Sequence, residues 1–412
     1  MANSKRVRKS AAAAGGGSLA AGQRLSNGQR IPTGVAAAQD PPQKHKHLDT
    51  AFVVIILALL TYGAIMVFSA SYPAALHKTN NSLHFISKHA MFMAAGLVVM
   101  FVMSFIDYRV YRRFVFPIFG VGIVMLILVK VPGIGTNLGT VATRWIDLRF
   151  TTFQPSEFMK FAIVVMFAHL IDLNYKRMGT FQYGVLPFGI CLLVTAGLMM
   201  LQPHLSGTIL IFAIGFVMMF VGGTKLRWFG ALGGCAVAGV AGIIMIKGVT
   251  YITDRLSGWL NPFADTQGQN WQTIQSLIAI GSGGIMGRGI GNSRQKYLYL
   301  PEPYNDFIFA IVCEELGLIG ALLVVILFVL FALRGYSIAA KAPDKFGYML
   351  AVGLTTQICL QAVLNIAVVT NTVPNTGISL PFFSYGGTAL LMQLGEMGIL
   401  LNISRQAVME KT

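Results

Sequence analysis

Charged residues are scarce in this chain. They make up 11% of its 412 residues, whereas soluble domains carry roughly 25%. Hydrophobic residues account for 55%, and the mean hydropathy is +0.67. This composition excludes an ordinary soluble globular protein. It indicates one polytopic membrane domain in place of the two or three soluble domains that the length would allow.

Acidic residues are the rarer of the two charge types, since 15 Asp and Glu stand against 31 Lys and Arg and the formal net charge is +16. In a soluble protein this excess would suggest nucleic-acid binding. In a membrane protein, basic residues collect in the cytoplasmic loops. That rule explains the excess, so we expect no nucleic acid as a partner.

Cysteine is also rare. The four cysteines lie far apart inside apolar segments, without metal-ligand spacing, at Cys191, Cys235, Cys313 and Cys359. We interpret them as small core residues. The sequence therefore predicts neither a disulfide framework nor a cysteine-based metal site.

Long apolar runs, by contrast, are abundant. Residues 1–47 have no apolar periodicity and are typical of a disordered basic cytoplasmic tail. Most of the runs that follow are long enough to cross about 30 Å of hydrocarbon as helices. The prediction is an all-α polytopic membrane protein with ten transmembrane helices in residues 48–405 and a short cytoplasmic tail, residues 406–412. The apolar runs lie at about residues 50–70, 87–106, 114–131, 157–172, 184–201, 205–222, 228–247, 306–333, 347–370 and 384–403.

Basic residues in the short loops set the predicted orientation. If the first tail is cytoplasmic, alternate loops carry Lys and Arg, whereas the opposite-side loop 371–383 has no charge. The positive-inside rule then places both termini in the cytoplasm of a multi-pass membrane protein. The basic loop residues are Arg109, Arg112, Arg113, Lys176, Arg177, Lys225, Arg227, Arg334, Lys341 and Lys345.

Two predicted outer loops are long and polar. One covers residues 132–156, and the other covers residues 248–305 between the seventh and eighth runs. A loop of the second length is usually functional or disordered. This one contains amphipathic and aromatic segments, so we expect it to be ordered on the outer leaflet and to carry the function.

Asp306 stands directly before an apolar helix, in the stretch "YLPEPYNDFIFAIVCEELG". One interpretation is a helix-capping acid, which free amides and the helix dipole would favour. The other is a general base at a partly desolvated surface, where burial raises the pKa of a carboxyl group. The local sequence leaves both open.

Other ionisable residues fall inside predicted spans, where they are costly and mark function or polar pairing. Glu314 and Glu315 lie about two turns after Asp306. Glu315 points away from Asp306 and Glu314 lies about a quarter-turn off, so we expect neither to pair with Asp306 and at least one to form a polar lock to another helix. Glu157 and Lys160 are three residues apart, which allows a simple ion pair. Alternatively they form a polar centre with the "QPHLSGT" segment at 202–208.

Several cations lie in the predicted outer loops, against the topology rule. A cluster of them near the membrane surface would suit a phosphate-bearing lipid, because Arg makes bidentate contacts with phosphate. They are Arg144, Arg255, Arg288, Arg294 and Lys296.

Four stretches together resemble the SEDS family, the shape, elongation, division and sporulation proteins of bacterial cell-wall synthesis. They are "RWIDL" at 144–148, "QPSEFMK" at 154–160, "GRGIGNSRQKYLYLPEPYNDFIFAIVCEELG" at 287–317 and "NTGISLPFFSYGGTAL" at 375–390. The resemblance extends from Asp49 to the last span, and the last two stretches look more like the FtsW and SpoVE branch than the RodA branch.

The resemblance implies a peptidoglycan glycosyltransferase of the bacterial cytoplasmic membrane that polymerises lipid II during cell division, with Asp306 matching the essential acidic residue. It also implies a class B penicillin-binding transpeptidase, divisome membrane proteins and membrane lipid as partners. One position departs from the family pattern: "QPHLSG" has His204 where the family commonly has aspartate. We assign His204 to the polar centre that also holds Glu157, Lys160, Glu314 and Glu315.

The expected mechanism has Asp306 as general base and undecaprenyl pyrophosphate as leaving group. Cations would stabilise the pyrophosphate, with a divalent ion, Mg or Mn, as a possible helper. The expected substrate-binding residues are Arg144, Arg288 and Lys296 for the pyrophosphate and Trp145, Gln275, Ser276, Glu302, Ser384, Tyr385 and Gly386 for the groove.

Two other functions remain open on the sequence alone. A lipid II flippase would place ionisable residues near the membrane midplane, as Glu157, Lys160 and Glu314 do. A divisome scaffold would account for the basic tail. The charges in the outer loops favour the enzyme.

Overall fold

Helices dominate the computed structural model of this chain, which describes residues 48–136, 143–148, 151–202, 204–230, 259–264 and 270–407. The predicted basic tail lies outside these residues, as do most of the predicted span 228–247 and part of the long loop 248–305. The helices with defined bounds are α1 (Thr50–Thr79), α2 (His84–Met103), α3 (Arg109–Arg113), α4 (Val115–Leu128), α5 (Pro155–Asn174), α6 (Phe181–Gly184), α7 (Leu186–Leu201), α8 (Leu205–Val221), α9 (Trp271–Gly283), α10 (Ile308–Ala340), α11 (Lys345–Val369) and α12 (Gly387–Arg405).

Five helical segments in the described part are long and apolar enough to cross a membrane: Thr50–Thr79, His84–Met103, Phe181–Leu201, Ile308–Ala340 and Lys345–Val369. Two shorter apolar helices, α4 and α8, also match predicted runs. The helical class predicted from the apolar runs is confirmed, because helices satisfy their own backbone hydrogen bonds where lipid offers none. The count of ten spans stays a prediction.

A small antiparallel sheet is the departure from the all-α prediction. It consists of β1 (Gly135–Thr136), β2 (Trp145–Asp147) and β3 (Thr152–Phe153), in the order β1-β2-β3. The segment "TRWIDLRFTTF" is rich in aromatic and β-branched residues, which favour strands. Strand β3 lies beside the start of α12, where the Thr388 hydroxyl donates to the Thr152 carbonyl at 3.1 Å.

Two aspartates define where long helices begin. The Asp49 carboxylate accepts from the Phe52 amide at 3.1 Å at the start of α1, and the Asp344 carboxylate accepts from the Gly347 amide at 2.7 Å at the start of α11. Each satisfies an amide that the first helical turn leaves unpaired. Each aspartate stands directly before an apolar run, so each helix begins where its apolar run begins.

Helix α11 is central in the packing of the bundle. It contacts α5, α8 and α10 along its length, while α2 packs along α12 and α1 packs along α10. Its buried face includes small and polar residues as well as aliphatic ones. Small residues let the backbones of packed membrane helices approach closely, and polar residues can bond between helices.

Helix α10 is interrupted at Gly317, where φ is +66° and ψ is −160°. The segment after α9 packs into this break: the amides of Arg288 and Gly289 donate to the carbonyls of Glu314 and Glu315 at 3.0 and 2.8 Å. These contacts pair carbonyls that the interrupted helix would leave free. A Cβ at Gly317 would collide with the backbone of residues 285 and 287.

Replacing Gly317 tests this break. We expect Gly317→Ala to lower stability by about 1–3 kcal/mol, because the positive φ and the close backbone both oppose a side chain. The measurement is thermal unfolding of the purified protein in detergent. The control is Gly197→Ala in α7, where no atom lies within 4 Å of the added Cβ; equal destabilisation by the two changes would contradict the account.

Candidate functional site

A cavity of about 810 Å³ opens where α1 ends, α2 and α5 begin, and the chain enters α10 and α12. Its lining combines cations, carboxylates, amides and aromatic rings. The polar and aromatic residues most relevant to chemistry are Lys78, Phe85, Lys88, Arg144, Trp145, Glu157, Lys160, His204, Glu302, Tyr304, Asp306, Gln361, Ser384, Tyr385 and Gln393, with the Gly386 backbone beside them.

Asp306 is half-buried and faces this cavity. Helix α10 begins two residues later, at Ile308, and its N-cap position is Phe307. No side-chain capping bond is present there, so the interpretation of Asp306 as a helix cap is wrong. The carboxylate lies against Gly377, whose φ is +65°; a Cβ at that glycine would be 3.1 Å from Asp306 Oδ2.

The backbone before α10 is held by the segment that precedes α12. The Tyr385 amide donates to the Tyr304 carbonyl at 2.8 Å. The Ser384 hydroxyl donates to the Asn305 carbonyl at 2.8 Å and accepts from the Leu380 amide at 2.7 Å. Ser384 and Tyr385 were expected to shape the groove. They line the cavity, and in addition they anchor the segment that carries Asp306.

Two residues that the sequence did not single out complete this arrangement. The Asn365 side chain donates to the Asp306 carbonyl at 2.7 Å and to the Ile378 carbonyl at 2.6 Å. Gly377 supplies the surface against which the Asp306 carboxylate lies. The motif at 375–390 contained the glycine, but no local signal links Asn365 to a residue 59 positions earlier.

The electrostatic surroundings suit Asp306 to proton transfer. Its pKa is raised from 3.8 to about 6, chiefly by burial and also by the nearby Glu302 carboxylate, while Arg144 opposes the increase. The group is therefore ionised at neutral pH, yet it is more basic than an ordinary carboxylate. A base with a pKa close to the working pH is effective in general catalysis.

Three cations line the rim of the cavity. Arg144 precedes β2 and interacts electrostatically with Asp306, and burial lowers its pKa. Lys78 and Lys88 are exposed near the facing ends of α1 and α2, and the Lys78 ammonium lies 3.5 Å from the Tyr304 hydroxyl. Arg144 was expected at the pyrophosphate from the sequence, whereas Lys78 and Lys88 were not. Both lysines lie near the ends of apolar runs, where basic residues are ordinary flanking charges.

The floor of the cavity contains an ion pair and an imidazole. The Lys160 ammonium lies 2.8 Å from Glu157 Oε2 and 2.7 Å from Gln361 Oε1, so the predicted contact between Glu157 and Lys160 is present. His204 precedes α8 and lines the same cavity. Burial, with Arg144 and Lys160 nearby, lowers its pKa to about 3, and its ring is therefore neutral.

Glu315 lies outside this cavity, in a buried cluster that joins α10 to α1. Its carboxylate accepts from the Ser69 hydroxyl at 2.7 Å and pairs with the Lys296 ammonium at 2.8 Å. Lys296 also donates to Ser69 Oγ and the Gly291 carbonyl. The expected lock to another helix is thus present, whereas the expected role of Lys296 at the pyrophosphate must be corrected: its three donors are already used.

Glu314 holds the neighbouring stretch of the loop. It accepts from the Ser293 hydroxyl at 2.5 Å and the Arg294 amide at 2.9 Å, and it lies 3.6 Å from Arg288. Arg288 does not line the Asp306 cavity, so its expected substrate role is also corrected. Glu314 and Glu315 form a cluster of their own, separate from Glu157.

Two further expected groove residues lie elsewhere. Gln275 and Ser276 are buried on α9 and do not line the cavity. The Ser276 hydroxyl donates to the Val369 carbonyl at 2.8 Å and so joins α9 to the end of α11. The Ser276 hydroxyl thus serves helix packing, and the polarity of an amphipathic loop helix does not by itself indicate a groove wall.

A divalent ion was considered as a helper of the cations at the pyrophosphate. Within the described ranges, no three or more His, Cys, Asp or Glu side chains are grouped to hold a metal ion. Glu302 and Asp306 face the cavity with cations beside them. No step proposed below depends on a metal.

Comparison with known proteins identifies relatives of nearly the whole chain. Residues 50–409 match the family model of FtsW, RodA and SpoVE, described as cell cycle protein. Stage V sporulation protein E of Bacillus subtilis is 40% identical over 358 residues, which is 87% of this chain and 97% of the relative. The probable peptidoglycan glycosyltransferase FtsW of Trichlorobacter lovleyi is 37% identical over 363 residues, covering 88% of this chain and 94% of the relative.

Solved structures share the fold. A chain of a peptidoglycan synthase complex, solved to show how polymerization and crosslinking are coordinated, is similar with a TM-score of 0.70 and 26% identity over 87% of this chain and 98% of that one. The rod shape determining protein RodA of Thermus thermophilus has a TM-score of 0.64 and 23% identity, over 88% of this chain and 98% of that one. At that identity the second likeness concerns the fold alone.

The Lys296–Glu315 pair gives a prediction about stability. We expect Lys296→Met to destabilise the protein by about 3–5 kcal/mol, because it leaves the buried Glu315 carboxylate without its cation. Adding Glu315→Gln should recover most of the loss, since both charges are then gone. Unfolding by denaturant in detergent measures both. If Lys296→Met were stable but bound substrate more weakly, the result would instead support a contact between Lys296 and the pyrophosphate.

Proposed function

The chain belongs to the FtsW, RodA and SpoVE family of cell-cycle proteins, and on that premise we propose that it is a peptidoglycan glycosyltransferase whose reaction centre is Asp306. The substrate is lipid II, the undecaprenyl-linked disaccharide pentapeptide, and the product is a glycan strand made during cell division. The observation that carries the proposal is a half-buried carboxylate that faces a large cavity with a pKa near 6.

The proposed reaction transfers a growing sugar chain from one lipid pyrophosphate to the next sugar. Asp306 removes the proton from the 4-hydroxyl of the acceptor N-acetylglucosamine. The oxygen then attacks the anomeric carbon of the donor N-acetylmuramic acid. A new C–O bond forms with inversion from α to β, and the bond to the pyrophosphate breaks with both electrons leaving on the phosphate oxygen. Undecaprenyl pyrophosphate departs as an anion.

The rim cations suit the leaving group. Lys78 of α1, Lys88 of α2 and Arg144 before β2 line the cavity. Preorganised positive charge stabilises the charge that develops on the departing pyrophosphate. These lysines replace Arg288 and Lys296 in the assignment made from sequence, because those two residues are held by Glu314 and Glu315.

Aromatic rings and neutral polar groups suit the sugars. Phe85 stacks on Tyr304 with ring centroids 4.8 Å apart, and Tyr385 lies edge-on to Phe85 at 5.2 Å. Trp145 and the neutral His204 line the same cavity. A pocket of apolar faces with a few placed polar groups is the usual design for binding an uncharged ring.

The membrane arrangement and the partner belong to the same proposal. Ten spans with both termini in the cytoplasm would place the cavity on the outer face of the cytoplasmic membrane, where the head groups of lipid II would be reached. A class B transpeptidase would crosslink the new strand. The similarity to a chain of a complex that couples polymerization to crosslinking supports this partner; other divisome proteins are proposed on the resemblance.

Removing the base tests the proposal. We expect Asp306→Asn to lower lipid II polymerisation by about 100- to 10,000-fold, because the amide keeps the shape but cannot accept the proton. The assay uses purified protein with its transpeptidase partner. The control, Asp172→Asn, changes a carboxylate paired with Arg112 away from the cavity and should retain activity. Near-normal strands from the Asp306 variant would refute the base, and lipid II flipping without polymer would indicate a transporter.

The pH dependence of polymerisation gives a second test. Asp306 acts as the anion, so activity should be full above its pKa of about 6 and fall about tenfold per pH unit below it. Glu302→Gln should move this acid limb to lower pH, because the neighbouring negative charge that raises the pKa is gone. An acid limb that stays in place in the Glu302 variant would contradict the assignment.

A further inference from the structure

Asn365 is a buried amide with no place in the reaction described above. It lies near the end of α11, its side chain has no exposed surface, and it does not line the cavity. Its Nδ2 group nevertheless donates to the carbonyl of the proposed base, Asp306, at 2.7 Å, and to the Ile378 carbonyl at 2.6 Å. Both amide protons are therefore used on the two chain segments that meet at the base.

These two segments bring the parts of the Asp306 environment together. One is the stretch 304–306 that leads into α10, and the other is the stretch 377–385 that leads into α12. Gly377, which contacts the Asp306 carboxylate, is adjacent to Ile378. Because an amide group is planar, its two N–H bonds point in fixed directions. Asn365 thus fixes the Asp306 backbone and the surface beside the carboxylate relative to each other.

We propose that Asn365 is a positioning residue for Asp306: it joins the Asp306 and Ile378 carbonyls and so holds the carboxylate against Gly377, oriented towards the cavity. This inference rests on the proposed role of Asp306 as the base. Asn365 touches no substrate. Asn365 belongs to α11, a long helix that packs along α5, α8 and α10. A rigid element of the bundle therefore positions the carboxylate.

A purely structural role makes a different prediction. Two buried carbonyls need donors, and an amide that supplies them would contribute to stability alone. In that case a variant lowers the amount of folded protein and leaves the behaviour of each folded molecule unchanged. A positioning role changes the kinetics of the folded molecules, because a displacement of about 1 Å at a reacting group can cost about 100-fold in rate.

The experiment compares Asn365→Leu and Asn365→Asp with a matched control, Asn402→Leu. Asn402 is also a buried amide that joins loop backbone to a helix, since it bonds the Ser104 carbonyl at 2.9 Å and the Tyr108 amide at 3.0 Å. It lies near the C-terminal end of α12, whereas the cavity lies at the N-terminal end of that helix. Polymerisation of lipid II is measured per folded molecule, with kcat, KM and the pH profile determined separately.

We expect both Asn365 variants to lower kcat by about 100-fold with little change in KM. In Asn365→Leu the acid limb should also move to lower pH, because a released carboxylate is better hydrated and its pKa falls. Hydrogen exchange of residues 299–307 should increase. Asn402→Leu should lower thermal stability without any of these three effects.

Gly377→Ala tests the same contact from the opposite side, without changing Asn365. A Cβ there lies 3.1 Å from Asp306 Oδ2, so the carboxylate must move, and the same drop in kcat is expected. This variant keeps the inference testable if the Asn365 variants do not fold.

Two outcomes would overturn the inference. One is normal kcat and an unmoved acid limb in folded Asn365→Leu protein. The other is an Asn402→Leu variant that shows the same kinetic changes. Asp306→Asn distinguishes failure of the positioning role from failure of the proposed base. If Asp306→Asn is inactive while the Asn365 variants are normal, only the positioning role is wrong. If Asp306→Asn is active, the proposed base is wrong.

Discussion

The requirement that every buried peptide group find a hydrogen-bond partner governs this molecule. In lipid and in a packed helical bundle there is little water to serve as that partner, so each place where a helix stops needs a substitute. Before α10, the carbonyls of residues 304, 305 and 306 accept hydrogen bonds from Tyr385, Ser384 and Asn365, respectively. At the break in α10, the segment after α9 supplies the donors. The proposed base, Asp306, lies at the first of these interruptions.

This requirement explains why the region around Asp306 is built from segments distant in the chain. The backbone there cannot satisfy itself, so it bonds to the end of α11 and to the segment before α12. These bonds bring the Asp306 carboxylate and Gly377 together. In the proposed mechanism the same bonds also preorganise the base, and the kinetics of folded variants distinguish this role from a purely structural one.

The remaining charged side chains of this region either lie in buried clusters or face the cavity. Lys296 is enclosed by Glu315, Ser69 and a backbone carbonyl, so it anchors the loop and has no donor left for a ligand. Arg144, Lys78 and Lys88 face an open cavity. Lys160 is neutralised by Glu157, and His204 is uncharged because burial, together with two nearby cations, lowers its pKa. The cavity therefore has a cationic rim and a floor of nearly balanced charge, which suits an anionic leaving group beside uncharged sugars.

The amino-acid sequence by itself determined the features that depend on neighbours along the chain. Apolar runs indicated the helices, the three-residue spacing of Glu157 and Lys160 indicated their contact, and the motif around Asp306 indicated the base. Tertiary structure alone decided which loop cations face the cavity, since the sequence presents both Arg144 and Lys296 as cations of polar loops. It also decided that Asn365 donates to the Asp306 carbonyl and that Ser276 joins two helices. Local patterns report propensity and periodicity, whereas these roles depend on contacts between residues that only the packing of the helices brings together.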